Sequence, residues 1–200
     1  MGDVQKKYTF FRECIKKYPQ VGNDLFELFQ QIYGRMPVVA VLHDAIFCAH
    51  GGIPHLSPTL EHIRKMPDYI GGERDSELFW EIVWSDPVAD SQYLAVCNLF
   101  GQDPKEQAGF VRNTKRGAAW FFAQEAAEKY LAANGLTHII RAHEVPLNGF
   151  TFHFGERCAT VFSCSHYQSG NKCAVLFVDQ ERIRVLRIDT QHNGAPFSNP

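Results

Sequence analysis

The sequence lacks the features that mark membrane proteins, nucleic-acid-binding proteins and disulfide-rich secreted proteins. It contains no run of about 18 apolar residues, so it predicts no transmembrane helix. Its formal net charge is −2, so there is no basic excess for binding nucleic acid. The N-terminal residues do not form the hydrophobic segment of a secretory signal, and the six cysteines are therefore predicted to be reduced thiols. We expect a cytoplasmic or nuclear protein that binds neither membranes nor nucleic acids.

The composition is that of one soluble domain with a substantial core. The chain has 200 residues, of which 45% are hydrophobic and 21% are charged. Apolar spacing and capping residues predict helices over 8–18, 23–35, 57–63, 77–84, 93–100 and 117–134. Apolar runs predict strands over 38–42, 45–49, 136–140, 150–154, 158–163, 173–178 and 182–188, with hairpins at the first and last pairs. This mixture predicts an α/β protein.

Two histidines follow strand-like apolar runs. His50 comes after Ala45-Ile46-Phe47-Cys48-Ala49, and His143 comes shortly after Leu136-Thr137-His138-Ile139-Ile140. Imidazoles at the ends of rigid strands suit metal coordination, because the strands fix the donor atoms. No obvious set of carboxylates accompanies them. A zinc cluster of Cys158, Cys164, His166 and Cys173 is disfavoured, since these residues lack a paired Cys-x-x-Cys motif and two lie in predicted strands.

A series of short motifs gives these histidines a family context. In chain order they are His50-Gly51-Gly52, Leu56-Ser57-Pro58, Trp84-Ser85-Asp86-Pro87, Asn113-Thr114-Lys115-Arg116-Gly117, Arg141-Ala142-His143-Glu144 and Val161-Phe162-Ser163. On these motifs the chain resembles the C-terminal half of the catalytic domain of PPP-family protein serine/threonine phosphatases, the group of protein phosphatase 1, protein phosphatase 2A and calcineurin. The pattern covers residues 8–190.

The resemblance implies metal-assisted phosphoester hydrolysis. Family members use two divalent metal ions (Mn, Fe or Zn) to activate a water that attacks phosphorus. By resemblance, His50 and His143 are ligands of the second metal. The implied substrates are phosphoserine and phosphothreonine proteins, and specificity in this family often comes from regulatory subunits.

Four further residues receive roles from the resemblance. Arg116 binds the phosphate, Arg141 lies beside it, Tyr167 reaches over the site, and Asp86 orients a ligand or a water. Simpler interpretations stay open for three of them. Arg116 can be an ordinary ion-pair arginine, Asp86 can cap the turn before Pro87, and Tyr167 can be a loop aromatic.

The chain departs from the family pattern mainly by omission. The motifs Gly-Asp-x-His-Gly, Gly-Asp-x-Val-Asp-Arg-Gly and Gly-Asn-His-Glu, which supply the first-metal ligands and another phosphate arginine, do not occur. The segment Tyr8-Thr9-Phe10-Phe11-Arg12-Glu13-Cys14 resembles the stretch just after the last of them. Two histidines alone rarely bind a metal tightly. We therefore expect at most part of one metal site in this chain.

These observations lead to a specific expectation for fold and function. We expect the C-terminal half of a calcineurin-like metallophosphoesterase β-sandwich flanked by helices. Residues 1–190 form a partial catalytic domain with an inserted region at 88–112, and 191–200 form a tail. The expected function is a protein serine/threonine phosphatase that is incomplete and inactive as an isolated chain, and its partner is a regulatory subunit or the missing N-terminal half. The alternative is a catalytically dead phosphatase-like module that binds partners or phosphoproteins through Arg116 and the inserted region.

Overall fold

The computed structural model describes residues 2–71, 76–168, 170–179 and 181–188. The helices are α1 Gly2–Lys7, α2 Phe10–Lys17, α3 Gly22–Tyr33, α4 Leu60–Arg64, α5 Glu77–Trp84, α6 Asp90–Leu99 and α7 Gln124–Asn134. The strands are β1 Val39–Leu42, β2 Ile46–Ala49, β3 Asp86–Pro87, β4 Phe110–Arg112, β5 Trp120–Phe122, β6 His138–Arg141, β7 Phe150–His153, β8 Cys158–Val161, β9 Cys173–Val178 and β10 Ile183–Ile188. Across these ranges no helix has the length and apolarity that a bilayer crossing requires. The predicted tail, 191–200, lies outside the described residues.

A five-stranded mixed sheet, in the order β1-β2-β6-β8-β7, organises the fold. Its three central strands are parallel, and each outer strand is antiparallel to its neighbour. The carboxyl ends of β2 and β6 therefore meet at the same edge of the sheet, where His50 and Arg141 lie. Phe47 and Ile139 from these strands are fully buried against α7, with the rings of Phe47 and Tyr130 5.2 Å apart.

A second, three-stranded sheet in the order β3-β5-β4 takes β4 from the predicted inserted region. The helix predicted over 93–100 exists within 88–112 as α6, and β4 is a strand that the sequence did not predict. Their apolar side chains enter a separate buried cluster of Val88, Tyr93, Val96, Cys97, Val111, Phe121 and Ala123. The boundaries of the insertion stay a prediction, but its interior is a packed substructure. The strands β9 and β10 form the predicted C-terminal hairpin.

Several predicted element boundaries are wrong for identifiable reasons. The helix predicted over 117–134 begins only at Gln124, because Trp120–Phe122 pair with β3 and β4. The helix predicted over 8–18 begins at Phe10, since Thr9 has a left-handed backbone (φ 77°). The helices predicted over 23–35 and 57–63 begin at Gly22 and Leu60, with Val21 and Thr59 as their N-cap residues.

Other local predictions are confirmed. The helix predicted over 77–84 forms as α5, with Ser76 capping it by accepting a hydrogen bond from the Phe79 amide, and the two predicted hairpins form. The strand predicted over 150–154 exists as β7, on which Phe152 is exposed.

Candidate active site

The two predicted metal-binding histidines meet at the edge of the central sheet. His50 Nε2 lies 3.0 Å from His143 Nδ1, although 93 residues separate them in sequence. The amide of Ala142 donates to the carbonyl of His50 over 3.0 Å, which fixes the two loops together. This is hydrogen-bond distance between the two rings, and it is also close to the separation of about 3 Å that two nitrogens have when they bind one ion at a right angle.

The surroundings of the pair keep both imidazoles neutral. Burial, followed by the positive charge of Arg116, lowers the pKa of His143 to about 3. Partial burial and the charge of Arg141 lower the pKa of His50. The Trp84 ring lies edge-on to His143 at 5.2 Å, and His143 Nε2 is buried without a hydrogen-bond partner in the described part of the chain. Neutral imidazole is the form that binds metals.

The described residues supply the two histidines predicted as metal ligands and no complete metal site. Within 2–71, 76–168, 170–179 and 181–188, no group of three or more His, Cys, Asp or Glu side chains is arranged to hold an ion. The considered zinc cluster therefore does not form there either. The imidazole nitrogens fit two positions of a coordination sphere, and the remaining positions need ligands from elsewhere.

Asp86 lies behind the histidines as a fully buried carboxylate. Its Oδ2 accepts hydrogen bonds from Asn113 Nδ2 (2.8 Å) and Arg116 Nε (2.9 Å), and its Oδ1 accepts from Arg141 Nη2 (2.6 Å) and Arg116 Nη2 (3.3 Å). Burial alone raises the pKa of Asp86, but the bonds and charges of the two arginines and Asn113 outweigh it and lower the pKa. The carboxylate binds side chains, so its role differs from capping the turn before Pro87.

Arg116 is held on one side and open on the other. The side-chain carbonyl of Asn113 accepts from the amides of Lys115 and Arg116, which shapes the loop that carries both cations. Nε and Nη2 of Arg116 bind Asp86, and Nη2 also donates to the His143 carbonyl over 3.1 Å. Nη1 makes no hydrogen bond within the described residues, and the side chain is 21% exposed. This nitrogen is therefore oriented and available for an anion.

Arg141 is placed beneath the site, and its side chain is fully buried. Its guanidinium makes five hydrogen bonds, to the carbonyls of Gly51 and Ser85 and to the side chains of Asp86, Glu144 and Thr160. A guanidinium has five N–H donors, so Arg141 has none left for a ligand. In this arrangement it acts by fixing Asp86 and the loop after β2.

A cavity of about 720 Å³ opens in front of these groups. Its lining includes Lys115, Arg116, His143, Glu144, His153 and Tyr167. Tyr167 is exposed, and its ring lies edge-on to Phe162 at 5.4 Å. His153, which has no place in the family motifs, forms a hydrogen bond with Thr160 Oγ1 over 2.9 Å, and burial lowers its pKa. The predicted arginine, histidine and tyrosine thus share one cavity.

Helix α5 supports the site from behind. The Ile82 carbonyl accepts hydrogen bonds from the amides of both Gly51 and Gly52, directly after His50. The buried carboxylate of Glu81 accepts from the Leu56 amide (2.8 Å) and from Trp120 Nε1 (2.6 Å). A Cβ at position 51 would collide with α5 backbone, so only glycine fits there.

Sequence reasoning missed the residues that act through other residues. Lys115, Asn113 and Glu144 stand inside the family motifs but received no role, and Glu81 lies in none of them. Their position next to Arg116 and His143 in the motifs was the available signal. What each contacts depends on tertiary distances that a single sequence does not contain.

The chain matches known proteins in sequence pattern and in fold. Residues 3–147 match the family model of calcineurin-like phosphoesterases. This is well over half of the chain, so the chain belongs to the calcineurin-like phosphoesterase family. These enzymes are hydrolases that generally use divalent metal ions.

A solved structure shares the fold. It is a protein serine/threonine phosphatase from Saccharomyces cerevisiae, described as similar to human phosphatase PP5. The TM-score is 0.73 at 23% sequence identity, and the match covers 94% of this chain and 57% of that one. The chain thus spans a little over half the length of this relative. The resemblance to PPP-family phosphatases and the α/β metallophosphoesterase fold expected from the sequence are confirmed.

Proposed function

We propose that this chain is part of a metal-dependent protein serine/threonine phosphatase that acts on phosphoserine and phosphothreonine proteins. The observation that carries the proposal is the shared cavity. Arg116, with one free guanidinium nitrogen, and His143, with its nitrogen 3.0 Å from His50, open onto the same space. A fixed guanidinium with one free nitrogen, beside two neutral imidazoles, suits a phosphoryl group next to a metal ion.

Each residue has a distinct part in the proposed hydrolysis. Arg116 Nη1 donates to a phosphoryl oxygen and balances the charge that develops on the phosphoryl group. Asp86 holds the guanidinium at a fixed angle, because it binds Nε and Nη2 together. Arg141 holds Asp86 in turn. His50 and His143 would be among the residues that hold divalent ions (Mn, Fe or Zn), and such ions would supply the chemistry of activating a water by lowering its pKa.

We further propose that these 200 residues do not turn over phosphoesters alone. The support is the count of metal ligands: two imidazoles meet, and the described residues add no third ligand. The missing ligands would come from an N-terminal half that carries the three absent motifs. A regulatory subunit is the other proposed partner, and the proposed compartment is cytoplasmic or nuclear.

The same incomplete ligand set supports a second candidate. A catalytically dead phosphatase-like module would bind phosphoproteins through Arg116 and the packed substructure within 88–112 without needing a metal ion. The two candidates differ in what happens when the missing ligands are supplied.

The test compares the purified chain with a fusion that supplies the missing motifs at its N-terminus. Metal content is measured by elemental analysis, and turnover is measured with a phosphoserine peptide and added Mn²⁺. His143→Ala removes a proposed ligand. His62→Ala is the matched control, because His62 is an exposed histidine on α4 whose ring contacts Thr59 and not the site.

We expect less than one ion per chain and no turnover from the chain alone. The fusion should gain turnover that His143→Ala abolishes and His62→Ala preserves. Turnover by the isolated chain with the same sensitivity would contradict its proposed inactivity. A fusion that binds metal but stays inactive would contradict the phosphatase proposal and favour the binding module.

A further inference from the structure

Lys115 and Arg116 are neighbouring cations on one loop, but their side chains lie in different environments. Arg116 is anchored inward on buried Asp86, whereas Lys115 extends to the rim of the cavity and is 58% exposed. There Lys115 Nζ meets Glu144 Oε1 at 2.7 Å. Both cations contact the same short segment, since Arg116 binds the carbonyl of His143 and Lys115 binds the side chain of Glu144.

Glu144 is held in place from its other side. Its Oε2 accepts from buried Arg141 Nη1 over 3.2 Å, so the carboxylate bridges an internal cation and an exposed one. The carboxylate is 24% exposed and lines the same cavity as Arg116. The protein therefore places one of its own carboxylates on a cation next to the proposed phosphate site.

We propose that Lys115 forms a second anion subsite, which Glu144 occupies in the free protein and which an acidic side chain adjacent to the phosphoresidue of a substrate takes over. This inference rests on the proposed phosphate-binding role of Arg116. The preferred substrate class is a phosphoserine or phosphothreonine peptide with Asp or Glu beside the modified residue. Lys115 and Glu144 then determine specificity, because Glu144 competes with the acidic residue for the Lys115 ammonium.

The exchange is energetically feasible because the Lys115 contact is weak. Exposed Lys–Glu pairs contribute little to stability, so a substrate carboxylate can replace Glu144 at Lys115 without disrupting the fold. Glu144 keeps its bond to Arg141 during the exchange, so no buried charge loses its partner. The gain for an acidic peptide corresponds to about a two- to fivefold change in affinity.

The test measures the ratio of affinities for two peptides by NMR titration of the labelled chain, which detects weak binding. One peptide carries phosphoserine between alanines, and the other has glutamates on both sides. The variants are Lys115→Gln and Glu144→Gln. Lys129→Gln and Glu125→Gln are matched controls, because that pair is also 2.7 Å apart and its lysine is similarly exposed, but it lies on α7 away from the cavity.

We expect Glu144→Gln to shift the ratio about two- to fivefold toward the acidic peptide and Lys115→Gln to remove the preference for it. The controls should leave the ratio unchanged. An equal change in affinity for both peptides would overturn the proposed subsite, because a long-range effect of charge alone would produce an equal change. Arg116→Gln tests the underlying phosphate site separately: if it leaves phosphopeptide binding intact, the proposed function fails whatever the ratio. Absence of phosphopeptide binding by both the chain and the fusion that supplies the missing motifs would contradict both proposals.

Discussion

Replacement of Asp86 by asparagine tests the reasoning about the buried ion pairs directly. Asparagine has nearly the same shape, but it removes the charge between Arg116 and Arg141 and turns one acceptor into a donor. Removing one partner of a buried pair costs about 3–5 kcal/mol. Glu144 remains bound to Arg141, and Arg116 is partly exposed to water, so we expect a loss near the lower end, about 3 kcal/mol.

The assay is urea denaturation at pH 7 followed by circular dichroism. Asp68→Asn is the control, because Asp68 is an exposed loop residue, and we expect a change within about 0.5 kcal/mol. Combining Asp86→Asn with Arg116→Gln should cost less than the sum of the two single changes, since both remove the same interaction. A loss below about 1 kcal/mol for Asp86→Asn, or strict additivity, would refute the interpretation of Asp86 as the shared counter-ion.

Three further predictions concern pH, backbone packing and self-association. The folded state lowers the pKa of Asp86, so its stabilisation is present above the unfolded value of 3.8 and is lost at lower pH. The stability difference between wild type and Asp86→Asn should narrow below about pH 4, and a constant difference would contradict this. Gly51→Ala forces a Cβ against the Val83 carbonyl and should destabilise by roughly 1–3 kcal/mol, seen as a lower melting temperature; unchanged melting would disprove the collision. Phe177 and Ile188 are exposed on one face of the β9–β10 hairpin, so we expect self-association that lysine at both positions reduces in analytical ultracentrifugation. A wild-type chain that is monomeric at every concentration tested would contradict the predicted self-association.

The sequence predicted the site best where local pattern and topology agree. His50 and His143 each follow a strand, and the parallel pairing of β2 and β6 brings the two strand ends together. Motif order therefore identified residues that lie 3.0 Å apart in the fold. The hairpins were predictable for the same reason, since a turn signal and two apolar runs define them locally.

The sequence predicted the site least well where distant residues decide the outcome. Residues 117–123 read as the start of a helix, but Trp120–Phe122 gain more by pairing with two other strands. Likewise nothing near Arg141 in sequence indicates that all five of its donors are used inside the protein. Ion pairs such as Lys115–Glu144 depend on side-chain positions that only the folded chain defines.

Helix α5 makes the site an all-or-none unit. Its eight residues bind the loop after His50 through Ile82, contact His143 through Trp84 and lead directly into Asp86. A fluctuation that unravels this one helix would release His50, the ring packed against His143 and the counter-ion of Arg116 together, so both the proposed metal site and the proposed phosphate site would be lost. Partial opening of the protein would therefore disrupt the site as a whole, and intermediate states in which only one of these residues is displaced should be scarce.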